Sequence, residues 1–513
     1  MIASRNIALA AALTVSGVAC VHNDWRETLA ADGLEEPKLT VDGVGHGHIV
    51  VVEEPGGCGL DCMGQSGKGV VLRLTAIPDE GSRFEGWAGA CEGMGSCRFL
   101  ADEFPAYFIS AAFSDQRSDW SRLLASEVSL SDWSLAVSPK GESLVADRGD
   151  SFLSRFAVDG TRVFRLEAPR GFEAHAVAFD PGGSAIVAGQ LDAKSTNPAS
   201  PNSAFLFKVD PKGRELWRRV VRASGEAIID AVAVDDSGSI YAAGRIAGKL
   251  DGTPFDAPDR SGGMLLRFDP EGSLDPAFTQ PGPVAFSAVA LSGDNVLAVA
   301  GSSIVSFSSS GRRQFVSTPA GVAARFSTIA ATGDGDVVVG GTVTGDAITI
   351  GDESLPRIGS REWSDALLVR LSPKGEIVWA RRFGGRGDDT IARLAPDGHG
   401  GVFVGGTFTG PMEFGSRSLT SRDYWPDEDI DSEHSGSVPH RSGFYGHIDR
   451  NGALEWAEAF GGLHASPDGI AVVGDRLYLL LDTLVTRNHH ADGGLSIYGE
   501  FDHSLVKRST NGL

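Results

Sequence analysis

The densest run of groups able to do chemistry is Asp423-Tyr424-Trp425-Pro426-Asp427-Glu428-Asp429-Ile430-Asp431-Ser432-Glu433-His434. Counting Glu413 upstream, it offers seven acidic groups, whose oxygens could hold a hard cation such as calcium. The run lacks the glycine turn and ligand spacing of an EF-hand loop, so a solvated acidic loop is the plainer reading and no metal is assigned. Tyr424 and Trp425 could stack on a sugar ring or an aliphatic partner, or simply anchor the loop. With Asp427, Asp429 and Asp431 they form the candidate binding loop. His489-His490, with Asp492 nearby, carries metal-type ligands, but adjacent residues rarely turn both rings to one ion. The tripeptide Arg-Gly-Asp occurs at 148–150 and 386–388, the second inside the recurring stretch Phe383 to Asp389. No nucleophile elbow, P-loop, HExxH or dinucleotide fingerprint is present. No catalytic residue is therefore assigned, and a non-enzymatic protein without a cofactor is expected.

Composition narrows the partners. A formal charge of −22 over 513 residues argues against electrostatic binding of nucleic acid or anionic lipid. Sixty-seven glycines and few helical patterns favour turn-rich β structure.

The five cysteines are an odd number. Four lie between Cys58 and Cys97, and Cys20 stands apart. Ahead of it come Arg5, a short apolar run from Ile7 to Ala19, and small residues Gly17 and Ala19. That is the layout of an export signal, and the run is too short to cross a bilayer as a helix. It resembles a bacterial lipoprotein lipobox, with Gly17 where that family prefers Leu. The resemblance implies removal of residues 1–19 and lipidation of Cys20; simple secretion would instead leave an exposed free thiol. Val21 follows Cys20 where an Asp would resemble an inner-membrane retention signal, so the expected address is the outer membrane. Residues 20–36 read as a polar tether.

Residues 37–114 carry β-rich runs separated by Gly and Pro, among them Val70 to Ala76 and Phe108 to Phe113. The stretch from Pro78 to Trp87 has the pattern Pro-x-x-Gly-x-x-Phe-x-Gly-Trp, and cysteine pairs flank it. This resembles the divergent B-repeat family of bacterial surface proteins. The resemblance implies a small β domain stapled by Cys58–Cys62 and Cys91–Cys97. Four cysteines permit three pairings, and their spacings are not those of a zinc knuckle. A domain this small needs such staples.

From about residue 118 a phrase repeats: an apolar strand, a tight turn, a second strand ending in Ala-Gly or Gly-Gly, an insertion, then a third strand running into Pro-Lys-Gly-x-x-x-Trp. Its hairpin glycine recurs at Gly160, Gly213, Gly272, Gly311, Gly375, Gly452 and Gly512, at intervals of 39 to 77 residues. A repeat that cannot bury its own face must stack on its neighbours. Seven copies predict seven radial four-stranded sheets, with the last fourth strand supplied by residues around Trp120. The strings from Asp336 to Gly351 and Gly401 to Gly415 resemble bacterial seven-bladed β-propeller repeats, a family described as binding or scaffolding. The expected fold is all-β: a disulfide-stapled β domain at 37–114 and a seven-bladed propeller over 115–513.

Five insertions fall between second and third strands: Gln190–Ser203, Arg245–Gly263, Thr342–Asp365, Thr407–Ser442 and Thr483–Ser496. Topology places them on one face with the links between blades, and variable loops on one face mark a binding side or unconstrained drift. The expected function is a lipid-anchored, monomeric envelope protein that binds a protein or polysaccharide through that face. A hydrolase or lyase with a central pocket and a structural spacer are the alternatives.

Overall fold

The computed structural model describes 18–22, 27–30, 38–44, 47–53, 70–78, 82–89, 91, 97–101, 106–115 and 120–127 toward the N-terminus. Beyond them it describes 133–147, 152–192, 203–251, 253, 262–319, 323–359, 362–415, 417–420, 441–461, 465–488 and 497–510. The chain divides into two compact units, 1–129 with 484–509, and 130–483 with 510–513.

The first unit holds two small sheets together with the paired strands Trp120–Glu127 and Ile497–Ser509. One runs Val18–His22, Gly47–Glu53, Val70–Pro78, Cys97–Ala101; the other runs Glu27–Ala30, Lys38–Val44, Ala106–Asp115, Ser82–Gly89. The stretch read as a tether thus contributes strands, and Cys20 sits opposite Val50. Cys91 and Cys97 form a disulfide, with their Cα atoms 5.6 Å apart. Cys58 and Cys62 lie outside the described residues. Trp87 is buried, and Phe84 meets it edge-on with ring centroids 5.2 Å apart. Trp87 thus belongs to the core, with Phe84 half-buried against it.

The repeats form the seven sheets of a β-propeller. Blade 1 runs from Trp133–Val137 to Arg162–Leu166, blade 2 from Phe172–Phe179 to Glu215–Val221, and blade 3 from Ala227–Val234 to Leu274–Gly282. Blade 4 runs from Phe286–Ser292 to Arg313–Ser317, blade 5 from Ala324–Ala331 to Ile377–Gly385, and blade 6 from Thr390–Pro396 to Leu454–Phe460. The seventh sheet has the order Ala465–Val473, Arg476–Asn488, Ile497–Ser509, Trp120–Glu127. The first strands of successive blades neighbour one another around a closed ring, blade 7 meeting blade 1.

The repeated phrase is the grammar of blade-to-blade packing. The described hairpin glycines all have φ between 77° and 87°, the left-handed region that favours glycine. Gly213, Gly272, Gly311, Gly375 and Gly452 also sit against a group from the blade before. Gly272 meets the Trp217 ring and Gly452 the Trp379 ring; Phe164 and Phe315 take that place under Gly213 and Gly375. The indole N–H of Trp217 donates to Pro270 O at 3.1 Å, and that of Trp379 to Arg450 O at 3.0 Å. Two residues on, Arg219 and Arg381 donate to carbonyls of the same turns. The blades lacking tryptophan keep an aromatic ring in its slot.

A second ring of contacts lies five residues before the hairpin glycine. Arg155, Lys208, Arg370 and His447 stand there, and each pairs with an acid of its own blade's first turn: Glu142, Asp180, Asp334 with Asp336, and Asp397. The first three also donate to turn carbonyls of the next blade. Many other carboxylates close turns. Asp210 accepts the backbone N–H groups of Lys212 and Arg214, and the Arg214 N–H holds its carboxyl below the usual range. Asp235, Asp269, Asp397 and Asp449 repeat that geometry. Much of the acidity is therefore architectural.

Candidate functional site

The candidate binding loop, Tyr424, Trp425, Asp427, Asp429 and Asp431, lies outside the described residues, as do His489, His490, Asp492 and the Arg-Gly-Asp at 148–150. The second tripeptide is consumed in a blade junction. Gly387 is buried, and Asp388 Oδ1 accepts the backbone N–H and hydroxyl of Ser364 at 2.9 and 2.8 Å.

The insertions of blades 5 and 6 begin as wall, not as free loop. In blade 5, Ala347–Ile350 pairs with Glu353–Pro356. In blade 6, Met412–Phe414 pairs with Arg417–Leu419 and extends the last strand of blade 5 at Gly384 and Gly385. Ile350, Met412, Phe414 and Leu419 are buried in the inter-blade cores. Of the later part of each insertion, 357–359, 362–364 and 420 are described, and they belong to no strand.

A second feature of the same face was absent from the sequence reading. The first strand of blades 2 through 7 carries a β-bulge at one position: His175, Asp230, Ser287, Ser327, Ala392 and Asp468. A bulge inserts one unpaired residue and re-aims its side chain. The glycine ending the second strand is its counterpart. A Cβ at Gly189, Gly244, Gly341 or Gly406 would overlap the carbonyl oxygen of Glu173, Ile228, Arg325 or Thr390, two residues before each bulge. Because that glycine directly precedes the insertion, the bulges ring the axial channel at its insertion-face mouth. Below them the channel-side strands carry half-buried small and apolar residues, such as Ala231, Val232, Ala233 and Val234.

Packing residues repeat from blade to blade, whereas the bulge position holds His, Asp, Ser or Ala, and that variation marks it as a candidate for function. Among the described bulge residues one pair of ionisable groups touches. His175 Nδ1 lies 3.3 Å from Asp230 Oδ1, across the junction of blades 2 and 3. Arg245 approaches Asp230 at 3.8 Å and Glu226 at 3.7 Å. The His175 side chain is 5% exposed, and its Nε2 is closed to solvent without a hydrogen-bond partner. A buried imidazole facing a carboxylate donates its Nδ1–H and fixes the carboxylate in place. Its Nε2 is closed to solvent, so the imidazole serves to hold Asp230 rather than to exchange a proton with a ligand. Elsewhere the rim is held by contacts between neighbouring blades. Ser327 Oγ donates to Ile391 O at 3.1 Å, and Arg393 Nε donates to Asp468 O at 2.6 Å. Among the described residues no group of three His, Cys, Asp or Glu side chains is placed to hold a metal ion, and no helix is long and apolar enough to cross a membrane.

Residues 39–101 match the divergent InlB B-repeat domain. No curated protein matches the chain. Among solved structures, the chain is similar to a virginiamycin B lyase from Staphylococcus aureus determined with quinupristin, at 11% identity over 75% of this chain and 99% of that one, TM-score 0.41. It is similar to Sqt1 of Saccharomyces cerevisiae at 8% identity over 76% and 98%, TM-score 0.41. It is also similar to a protein of unknown function from Bacteroides caccae at 15% identity over 49% and 81%, TM-score 0.31. Identities this low concern the course of the chain and not its activity.

Proposed function

We propose that this is a lipid-anchored envelope protein whose propeller binds a protein or polysaccharide on the insertion face. The observation that supports it is the rim of bulges. Residue types vary there from blade to blade while the packing grammar around them is held, and the His–carboxylate contact among the bulge residues keeps its imidazole Nε2 closed to solvent. Calcium, if held by the carboxylates of residues 423–434, would bind through oxygen ligands without taking part in chemistry. Residues 421–440 are the part of the longest insertion that can be exchanged without cutting the buried hairpin.

Two measurements test this reading. Cys20→Ala moves the protein to the soluble fraction; unchanged membrane association rules out the anchor. The soluble full-length variant is then screened on glycan arrays and in pull-downs from envelope extracts. Replacing 421–440 with a short Gly/Ser linker abolishes capture, and undiminished capture overturns the insertion-face assignment.

A further inference from the structure

We propose that the channel rim between blades 2 and 3 is a subsite for a neutral, hydroxyl-rich ligand, one sugar residue of a polysaccharide. The proposal rests on the insertion-face reading above and selects between its two ligand classes. Four residues compose the subsite. Asp230 and Glu226 belong to the first strand of blade 3 and its lead-in, Arg245 to the facing second strand, and His175 to blade 2.

The carboxylates and the guanidinium have unspent capacity. Arg245 lies 3.8 and 3.7 Å from the two acids, beyond hydrogen-bond length, and makes no hydrogen bond to another described side chain. Arg245, Asp230 and Glu226 are 35%, 22% and 42% exposed, so all three can reach a ligand. A carboxylate only accepts and a guanidinium only donates. Hydroxyl groups do both, so a vicinal diol can donate to Asp230 and Glu226 while accepting from Arg245. An anionic sugar would meet two carboxylates against one guanidinium, whereas an ammonium could pair with the carboxylates but would leave Arg245 facing a like charge with no acceptor from the ligand.

The buried His175 supplies the independent sign of a built site. Burying an imidazole with Nε2 unpartnered costs free energy, and the cost brings no packing function that the other blades need. Blades 4, 5 and 6 place Ser287, Ser327 and Ala392 at the same bulge. What His175 adds is a fixed Asp230 carboxylate at the rim. His175 is a positioning residue; Asp230, Glu226 and Arg245 are the contacts.

The test uses the full-length Cys20→Ala protein on immobilised neutral, amino and uronic-acid polysaccharides, with affinities measured by biolayer interferometry. Binding falls on the neutral members. Asp230→Asn and Arg245→Gln each weaken it at least tenfold while thermal midpoints stay at the parent value. His175→Leu weakens it similarly, whereas His175→Asn, which keeps a donor for Asp230, restores most of it. Preference for uronic-acid or amino polymers, absence of binding to any glycan, or neutral-glycan binding untouched by Asp230→Asn and Arg245→Gln overturns the proposal. If those variants have no effect but replacing 421–440 abolishes capture, only the subsite falls. If neither intervention matters, the insertion-face reading falls with it.

Discussion

Gly244 cannot carry a side chain, because a Cβ there would occupy the space of the Ile228 carbonyl oxygen. Gly244→Ala must therefore flatten the bulge at Asp230 or shift the second strand. The expected loss is roughly 3 kcal/mol, at the upper end of core overpacking, read as a lowered urea midpoint; parent-like stability would mean the bulge is plastic. Asp389 makes the residue-scale case for pH. It is fully buried at the junction of blades 5 and 6; Oδ2 accepts the Gly385 N–H at 2.8 Å, and Oδ1 has no partner. Burial above all, with Asp365 and Asp388 adding, pushes its carboxyl up to about 8, against the opposing N–H groups of Gly385 and Thr409. Unfolded, it titrates near its ordinary 3.8. Between those values the folded chain keeps a proton that the unfolded chain has lost, so this group's contribution declines as pH rises and levels off above about 8. Asp389→Asn removes that decline. The variant gains on the parent as pH is raised from about 4 to about 9, by thermal melting in each buffer. A constant difference across the range would show that Asp389 is ionised throughout.

Each outer strand grips the next blade through a ring and an arginine, and this is where the repeated phrase acts. Trp379→Ala removes the ring against Gly452 and the donor to Arg450 O, at an expected cost of about 3–5 kcal/mol. An exposed substitution on the same strand, Val378→Thr, stays within about 0.5 kcal/mol. Equal effects would show that the staple is not what joins blades 5 and 6. The insertions divide by the same logic. Exchanging 421–440 leaves the melting curve unchanged, while cutting back to 410 empties the sites of Met412, Phe414 and Leu419 and lowers it sharply. These elements were unequally legible from sequence. Strands, turns and copy number follow from apolar alternation and the hairpin glycine, because both are local. The glycine ending the second strand was visible too, but its meaning depends on the strand beside it, so it read as punctuation rather than as the mark of a bulge. His175 and Asp230 are 55 residues apart in sequence, and nothing local links them. In the sequence the buried hairpin at 412–419 looks like part of a loop, because its apolar residues are few and serve a neighbouring blade.

At the scale of the whole molecule the question is how a ring built from one chain is closed. The register answers it. In complete blades the residue five before the hairpin glycine lies opposite the tryptophan: Lys208 faces Trp217, Arg370 faces Trp379, and His447 faces Trp456. In the seventh sheet Lys507 faces Trp120. The N-terminal strand thus occupies the fourth-strand place in the copy's own register. A second tie joins blades 7 and 1: the Tyr478 hydroxyl donates to Gly141 O at 3.0 Å, across 337 residues, inside the core. Tyr478→Phe leaves that carbonyl without its donor and costs roughly 1–2 kcal/mol. The strand itself matters more, since without Trp120–Glu127 the strand Ile497–Ser509 presents an unpaired edge from Phe501 to Lys507. Two truncations isolate the effect. A chain beginning at 118 keeps the closing strand and melts cooperatively. A chain beginning at 128 lacks it, melts at least several degrees lower, and associates through its open edge, so its sedimentation coefficient rises with concentration. Matching melting and sedimentation for the two chains would show that blade 7 holds with three strands and that the ring is closed by Tyr478 and its neighbours alone.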